Sequence, residues 1–186
     1  MRVFPEGWSG KFELIYADPP WKYRDQARAG QRGAEFKYPC MDLDEICNLP
    51  VASIAAEDCL LALWWTPPMP REALAVVDAW GFRLCNMKGF TWIKLTKNGK
   101  IAFGMGHKTR GNSEDCLFAV RGKPKIVDHS LSQVVFEERR GHSRKPDEAR
   151  RKLESLLGEV NRIELFARES HKGWKSWGLE TDIVPF

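Results

Sequence analysis

The chain carries the stretch Leu14-Ile15-Tyr16-Ala17-Asp18-Pro19-Pro20-Trp21, an apolar run that ends in an acidic residue, two prolines and a tryptophan. The apolar residues predict a short buried strand at 13–17. Neither proline can donate a backbone N–H, so the hydrogen-bond ladder of a sheet has to end there. A carboxylate and a flat ring are thereby presented on a rigid turn at the carboxyl end of a strand, which is the edge where open α/β sheets bind ligands.

This turn predicts a site for a planar ligand that carries an amino group. A carboxylate is an acceptor for the N–H bonds of an exocyclic amine, and the Trp21 ring offers a stacking surface. A turn in which Asp18 only caps and Trp21 belongs to the core is the alternative, because Asp and Pro are ordinary turn residues.

Composition indicates one globular domain over residues 1–186, large enough for a substantial core. The chain is 43% hydrophobic and 29% charged. It has no apolar stretch of the ~20 residues that span a membrane, and its start lacks the apolar region of a signal peptide. Five cysteines without a C-x-x-C pair indicate neither a disulfide framework nor a zinc site. We therefore expect a cytoplasmic protein with no metal and no membrane contact.

Positive charge is concentrated in two stretches of the chain. Residues 22–37 carry a net charge of +3 and residues 93–125 a net charge of +6, although the whole chain has only +4. The first of these stretches directly follows Trp21. This distribution predicts a polyanionic partner, whereas an ordinary solvated surface is the alternative.

Hydrophobic runs and turn residues predict strands that alternate with helices, which is typical of an α/β sheet. The predicted strands are 13–17, 59–65, 82–85, 90–95, 116–120, 134–136 and 163–167, and the predicted helices are 42–47, 70–80 and 146–157. Residues 22–37 and 96–112 are predicted loops, and residues 170–186 show no strong period. The glycine-rich patterns of ordinary NTPases and dinucleotide enzymes and the G-x-S-x-G elbow of serine hydrolases are absent from the sequence.

The tetrapeptide Asp18-Pro19-Pro20-Trp21 resembles the catalytic Asp/Asn-Pro-Pro-aromatic motif of amino-group methyltransferases. Its tryptophan form is typical of the MT-A seventy-kilodalton family, which makes N6-methyladenine. Nearly the whole chain resembles that family in the same motif order, through Tyr38-Pro39-Cys40-Met41, Asp44-Glu45-Ile46, Leu63-Trp64-Trp65-Thr66, Trp92-Ile93-Lys94, the strand segment 114–122, Lys145-Pro146-Asp147, the segment 162–168 and Trp174-x-x-Trp177-Gly178. On these motifs the chain is identified as a member of the family.

The resemblance implies a Rossmann-like methyltransferase fold, with a mostly parallel seven-stranded sheet flanked by helices. It also implies a circularly permuted motif order, in which the catalytic turn comes first and the cofactor region last. The implied cofactor is S-adenosyl-L-methionine. Lys145 would pair with its methionine carboxylate, which the helix start next to Lys145 also favours. Arg168 and His171 would lie near the ribose, and Glu180 would bind the ribose hydroxyls because Leu179 stands where many relatives have Asn.

The resemblance assigns catalysis to Asp18, Pro19, Pro20 and Trp21. The lone pair of an adenine amino group is delocalised into the ring and has to be localised on nitrogen before it can attack. The Asp18 side chain, which would also adjoin the cofactor, and the Pro19 carbonyl would accept the two N–H bonds. Trp21, together with Tyr23, would stack on the base and hold the nitrogen in line with the methyl group.

DNA is the expected substrate, with the target adenine flipped out of the duplex. The expected nucleic-acid contacts lie in the two basic stretches and are Tyr23, Arg24, Lys94, Lys97, Lys100, Lys108 and Arg110. An RNA adenosine-N6 methyltransferase and a catalytically silent nucleic-acid-binding subunit are the alternatives. A homodimer is one option for the assembly.

Overall fold

The computed structural model describes residues 4–22, 40–104, 108–141 and 144–178. They form seven strands, β1 Phe12–Ala17, β2 Ala55–Trp65, β3 Arg83–Leu95, β4 Ser113–Arg121, β5 Val134–Glu138, β6 Arg162–Leu165 and β7 Lys175–Trp177, and four helices, α1 Leu43–Cys47, α2 Val51–Ile54, α3 Pro70–Ala79 and α4 Asp147–Leu157. Most of these elements overlap the predicted ones, while the short α2 was not predicted. The predicted loop 22–37, apart from Lys22, lies outside the described residues.

The seven strands form one sheet in the order β5-β3-β4-β2-β1-β6-β7. Strand β4 runs antiparallel to both of its neighbours, β2 and β3, and the other adjacent pairs are parallel. The sheet is therefore mixed, and the expectation of a mostly parallel sheet is corrected. The reason is that the described residues between β3 and β4 form no crossover helix. It returns to the edge at which β3 ended, so β4 has to run in the opposite direction.

Strand β1, in the interior of the sheet, is buried on both of its faces. Along β1, Ile15 and Ala17 face the hydrophobic core that includes α1, α2 and α3, while Leu14 and Tyr16 face the core that includes α4. Successive side chains of a strand point to opposite faces. A strand covered on both sides therefore needs the continuous apolar run that the sequence shows here.

Local signals in the sequence determine where the helices begin and end. The Glu45 carboxylate accepts a hydrogen bond from the backbone N–H of Asp42 at 2.8 Å, which fixes the start of α1. Pro70 occupies the first turn of α3, and Gly81 follows the end of that helix with a φ of +77°. No helix in the described ranges is long and apolar enough to cross a membrane.

Strand β3 is continuous over Arg83–Leu95, so the prediction of two strands separated at 86–89 is wrong. Its pairing with β4 shifts register twice in this part. The ring of Phe118 lies over Gly89, where an added Cβ would be 2.3 Å from the ring. The same ring packs edge-on against Phe90, with centroids 5.0 Å apart. A residue without a side chain is therefore required where the strand is irregular.

The last two strands differ from the predicted pattern. Strand β6 ends at Leu165, because Phe166 adopts a left-handed φ of 62°. The chain then re-enters the sheet as β7, which pairs with β6 in parallel. This strand lies within residues 170–186, for which the sequence predicts no element. Gly178 lies so close to Ala167 that an added Cβ would be 2.1 Å from the Ala167 carbonyl oxygen. The close approach of the residues that follow β7 to those that follow β6 therefore requires a glycine at this position.

We expect Gly89→Ala to destabilise the protein by about 1–3 kcal/mol, because a methyl group at this position overlaps the Phe118 ring. The matched control is Gly141→Ala, since nothing lies within 4 Å of an added Cβ at Gly141. Chemical denaturation of both variants measures the effect. Equal stability of the two variants would show that the irregular part of β3 does not depend on the missing side chain.

Candidate active site

The candidate functional residues lie at the edge of the sheet where β1 and β6 end. The parallel strands β1 and β6 end there with Ala17 paired to Leu165, so Asp18 leaves the sheet at this edge. Because β4 is antiparallel, its first residues lie at the same edge, where Trp65 of β2 pairs with Asp115. The antiparallel strand thus brings an acidic segment next to the catalytic turn.

Four charged side chains form a continuous ion cluster at this edge, which we call the site cluster: Lys94, Glu114, Lys145 and Asp18. The Lys145 ammonium lies 2.7 Å from Asp18 Oδ2 and 3.3 Å from Glu114 Oε2. The other oxygen of Glu114 lies 2.6 Å from the Lys94 ammonium. Lys145 is the most enclosed member, with 11% of its side chain exposed. Its ammonium also lies 5.6 Å from the centre of the Trp64 ring, within cation–π range.

The site cluster shifts the proton affinities of its members in different directions. Burial raises the pKa of the Asp18 carboxyl, although the positive charges of Lys145 and Arg168 oppose the shift. The pKa of the Glu114 carboxyl is lowered despite its burial, because the Lys145 and Lys94 ammonium groups favour its charged form. The pKa of Lys145 is raised despite its burial, because both carboxylates stabilise its charge. Of the two carboxyl groups, Asp18 is therefore the one with the greater tendency to hold a proton.

The catalytic turn is fastened to the core by its own tryptophan. Trp21 is only 7% exposed, and its indole N–H donates a hydrogen bond to the Trp64 carbonyl at 3.0 Å. The backbone N–H of Trp21 donates to the Pro19 carbonyl at 2.8 Å, and that of Met41 donates to the Pro20 carbonyl at 3.0 Å. In this structure Trp21 anchors the turn, and its stacking on a base stays a prediction, as does that of Tyr23, which lies outside the described residues.

Trp64 contacts both the Asp-Pro-Pro-Trp turn and the site cluster, through Trp21 and Lys145. Its indole N–H donates to the Tyr16 hydroxyl at 2.7 Å, and the two rings pack edge to face with centroids 6.4 Å apart. Tyr16 is fully buried, and this burial raises the pKa of its hydroxyl. Trp64, whose ring lies near the Lys145 ammonium, is therefore held by two hydrogen bonds. Its indole nitrogen donates one, and its backbone carbonyl accepts the other.

Two of the expected cofactor residues follow strand β6 and lie on the Asp18 side of the sheet. Asp18 and Arg168 follow strand ends that are paired, Ala17 and Leu165, and the positive charge of Arg168 opposes the rise in the pKa of Asp18 that burial causes. His171 Nε2 lies 3.4 Å from Glu169 Oε1 and is buried with no hydrogen-bond partner among the described residues. Burial and the nearby Arg150 lower the pKa of His171, so its neutral form is favoured. Glu180 and Leu179 lie outside the described residues, and the role given to Glu180 stays a prediction.

The start of helix α4 does not present free amide groups to a ligand. The Glu137 carboxylate accepts hydrogen bonds from the backbone N–H groups of Asp147 and Glu148, at 3.0 and 2.9 Å. Arg140 joins the Glu137 and Asp147 carboxylates, and its hydrogen bond to Asp147 lowers the pKa of that carboxyl to about 2. The expected help of this helix terminus in binding the methionine carboxylate is therefore not seen, since an internal carboxylate already satisfies it.

The residues expected to contact nucleic acid fall into three groups. Lys97, Lys100, Lys108 and Arg110 are exposed beyond the end of β3. Lys94 is instead a member of the site cluster, with only 24% of its side chain exposed. Tyr23 and Arg24 lie outside the described residues.

Sequence analysis did not assign a role to Glu114 or Trp64, although both lie in segments that resemble the family. The signal for Glu114 was present in the sequence, because it is one of only two acidic residues within the basic stretch 93–125. Trp64 gave no such signal, since a tryptophan at the end of an apolar strand is most simply a core residue.

The chain is similar to known proteins over nearly its whole length. The MT-A70 family model matches residues 12–180. The type II methyltransferase M.MunI of Mycoplasma sp is 32% identical over 197 residues, covering 96% of this chain and 81% of that protein. The N(6)-adenosine-methyltransferase MT-A70-like protein of Arabidopsis thaliana is 31% identical, covering 99% of this chain and 26% of that protein. The N(6)-adenosine-methyltransferase catalytic subunit METTL3 of Homo sapiens is 28% identical, covering 98% of this chain and 32% of that protein.

The chain thus spans most of the bacterial relative but only about a quarter to a third of these plant and human relatives. The family match includes the catalytic turn, the site cluster and both residues that follow β6. By the family match and by its similarity to the bacterial relative, the chain belongs to the MT-A70 family of adenine-N6 methyltransferases.

Proposed function

We propose that this protein transfers a methyl group from S-adenosyl-L-methionine to the N6 amino group of adenine in DNA. The observation that carries the proposal is the Asp18 carboxylate, held at the sheet edge on an Asp-Pro-Pro-Trp turn and paired with Lys145 at 2.7 Å. DNA is favoured because the relative that this chain spans for 81% of its length is a bacterial type II methyltransferase. The RNA alternative is favoured by the adenosine methyltransferases of plants and animals.

The residues at this edge fit the proposed cofactor. S-adenosyl-L-methionine combines a sulfonium cation with a carboxylate and ribose hydroxyls, and supplies an electrophilic methyl group. Asp18 offers negative charge for the cation, and Arg168 offers positive charge in the same neighbourhood. The buried His171 nitrogen without a hydrogen-bond partner suits a hydroxyl group. We assign the cofactor to the space between the catalytic turn and the residues that follow β6.

The chain acts on the amine through acceptors that are already fixed. Lys145 occupies one position on Asp18 Oδ2, and a carboxylate has further lone pairs for an amine N–H. The Pro19 carbonyl accepts from the Trp21 N–H, and it also retains a second lone pair. Accepting both N–H bonds would localise the lone pair on N6 for attack on the methyl carbon that the cofactor would supply, and the bond between that carbon and the sulfonium sulfur would break to leave a neutral thioether. The proton that the methylated nitrogen has to lose can pass to Asp18, whose pKa is raised.

Mass spectrometry of nucleosides tests the proposal, after DNA or RNA has been incubated with the protein and S-adenosyl-L-methionine. We expect N6-methyladenine in the DNA. Product in RNA alone would support the RNA alternative, and no product in either nucleic acid would support the silent binding subunit.

Asp18→Ala should reduce the rate of methyl transfer by at least about 100-fold, because positioned acceptors and proton transfer contribute about this much. Cofactor affinity, measured by calorimetry, should change by less than about threefold. Asp18→Asn is the matched variant, since it keeps the shape of the side chain but not its charge. An equal loss of cofactor affinity and turnover would show that Asp18 is structural.

Glu114→Gln should shift the acidic limb of the pH–rate profile to lower pH. The negative charge of Glu114 raises the pKa of Asp18, so its removal lowers that pKa and keeps Asp18 ionised further into acid. Asp78→Asn, at an exposed position on α3, is the control. A lower rate with an unshifted profile would mean that Glu114 does not act on Asp18 electrostatically.

Binding to duplex DNA should weaken by about 100-fold between 50 and 200 mM salt if Lys97, Lys100, Lys108 and Arg110 each neutralise a phosphate. Fluorescence anisotropy with a labelled duplex measures this salt dependence. Alanine replacement of Lys97 and Lys100 together should reduce the slope by about two. Affinity that is unchanged by salt would exclude these residues as phosphate contacts.

A further inference from the structure

Beyond β3 the chain forms an arm, which we define as the described residues 96–104 and 108–112. The chain turns back immediately, since Leu95 forms an antiparallel bridge with Ile101 and the Thr96 N–H donates to the Lys100 carbonyl at 2.8 Å. The Ala102 N–H then donates to the Lys94 carbonyl at 2.7 Å. The first part of the arm is thus a hydrogen-bonded hairpin that is joined directly to the site cluster.

The two limbs of the arm are in close contact at its base. An added Cβ at Gly104 would lie 2.1 Å from the Gly111 carbonyl oxygen, so the two backbones touch. The Lys94 N–H donates to the Asn112 carbonyl at 2.9 Å, which ties the returning limb to the last residues of β3. The side chains that leave the arm are therefore held on an ordered base.

Two large apolar side chains of the arm point into solvent. Phe103 is 73% exposed and Ile101 is 49% exposed, while Ala102 between them is 2% exposed. This alternation places Phe103 and Ile101 together on the outer side of the hairpin limb. Burial of such side chains would be favourable by the hydrophobic effect. Their exposure together, next to the active site, marks a surface that a partner covers.

The charge of the arm indicates the chemistry of that partner. Exposed cations lie on both sides of Phe103 in the sequence, Lys97 and Lys100 before it and Lys108 and Arg110 after it. Residues 96–112 contain no Asp or Glu. An aromatic ring flanked by cations alone matches a nucleic-acid strand, whose phosphates pair with the cations and whose bases stack on the ring.

We propose that Phe103, supported by Ile101, inserts into the base stack of duplex DNA beside the target adenine and fills the gap left when the adenine is flipped. This inference rests on the proposed function. The arm is hydrogen-bonded to Lys94, whose side chain contacts Glu114, and Glu114 contacts the lysine that holds Asp18. A base drawn to Asp18 therefore leaves its gap close to the arm. Apolar side chains that insert between base steps are a general means of opening a duplex.

The test compares Phe103→Ala with Phe136→Ala, which removes another exposed phenylalanine, 63% exposed, from strand β5. Methyl incorporation is measured on genomic DNA that is naturally unmethylated, as duplex and after heat denaturation. Phe103→Ala should lower the rate on duplex DNA by about tenfold and the rate on denatured DNA by less than about threefold. Phe136→Ala should leave both rates unchanged, and both variants should keep the melting temperature of the unaltered protein.

Binding without cofactor provides a second readout. Phe103→Ala should weaken binding to a labelled duplex without changing the salt slope, because it removes stacking and no charge. An unchanged duplex rate, or an equal loss on duplex and denatured DNA, would overturn the inference. A change of mass by light scattering with unaltered DNA binding would instead assign the surface to a second copy of the chain. If the unaltered protein forms no N6-methyladenine in either DNA, the proposed function fails and this inference fails with it.

Discussion

The ion pair between Lys145 and Asp18 is the contact on which the site depends. It joins residues 127 positions apart in the sequence and bridges the catalytic turn after β1 to the start of α4. A buried ammonium group is stable only when its charge is compensated, and here Asp18 and Glu114 compensate it together. The antiparallel direction of β4 is what makes this arrangement possible, because it returns an acidic segment to the edge where β1 ends.

The Asp-Pro-Pro-Trp turn is held in place by its prolines and by hydrogen bonds of tryptophan side chains. Two prolines restrict its backbone, the Trp21 indole is bonded to the Trp64 carbonyl, and the Trp64 ring is bonded in turn to Tyr16. This chain of contacts runs from the turn into the central strand of the sheet. A group that accepts a hydrogen bond from a reacting amine is effective when its position is fixed before the reaction. The burial of Trp21 and its hydrogen bond to Trp64 supply such a fixed position for the turn.

Much of this structure could be predicted from the sequence, because its central strands have simple patterns. The run 14–17 and the Asp-Pro-Pro-Trp turn placed β1 and its edge correctly, and Pro70 and Gly81 placed the limits of α3. The direction of β4 could not be predicted, since an apolar strand looks the same in either direction. The continuity of β3 was missed because it depends on Phe118 crossing Gly89, a contact between strands that local periodicity does not contain.

The sequence predicted the types of residue in the site better than it predicted the contacts between them. The expected binding of the cofactor carboxylate by Lys145 stays a prediction, whereas its contacts with Asp18 and Glu114 were not anticipated. The expected contact of Lys94 with DNA likewise stays a prediction, whereas its pairing with Glu114 was not anticipated. A sequence shows which side chains carry charge, but the pairing of charges depends on which strand ends are adjacent. That information arises only from the order of the strands.

Strand order also has a consequence for the synthesis of the protein. The strand that carries the catalytic turn pairs with β6, and the Glu13 carboxylate beside it binds the backbone of Asn161, 148 residues later. During translation the turn is therefore made before one of its two neighbouring strands, β6, and before its lysine partner. One edge of β1 stays unpaired until β6 has been made, and pairing between strands so distant in sequence is intrinsically slow. The site is consequently incomplete until Lys145 and β6 have been made.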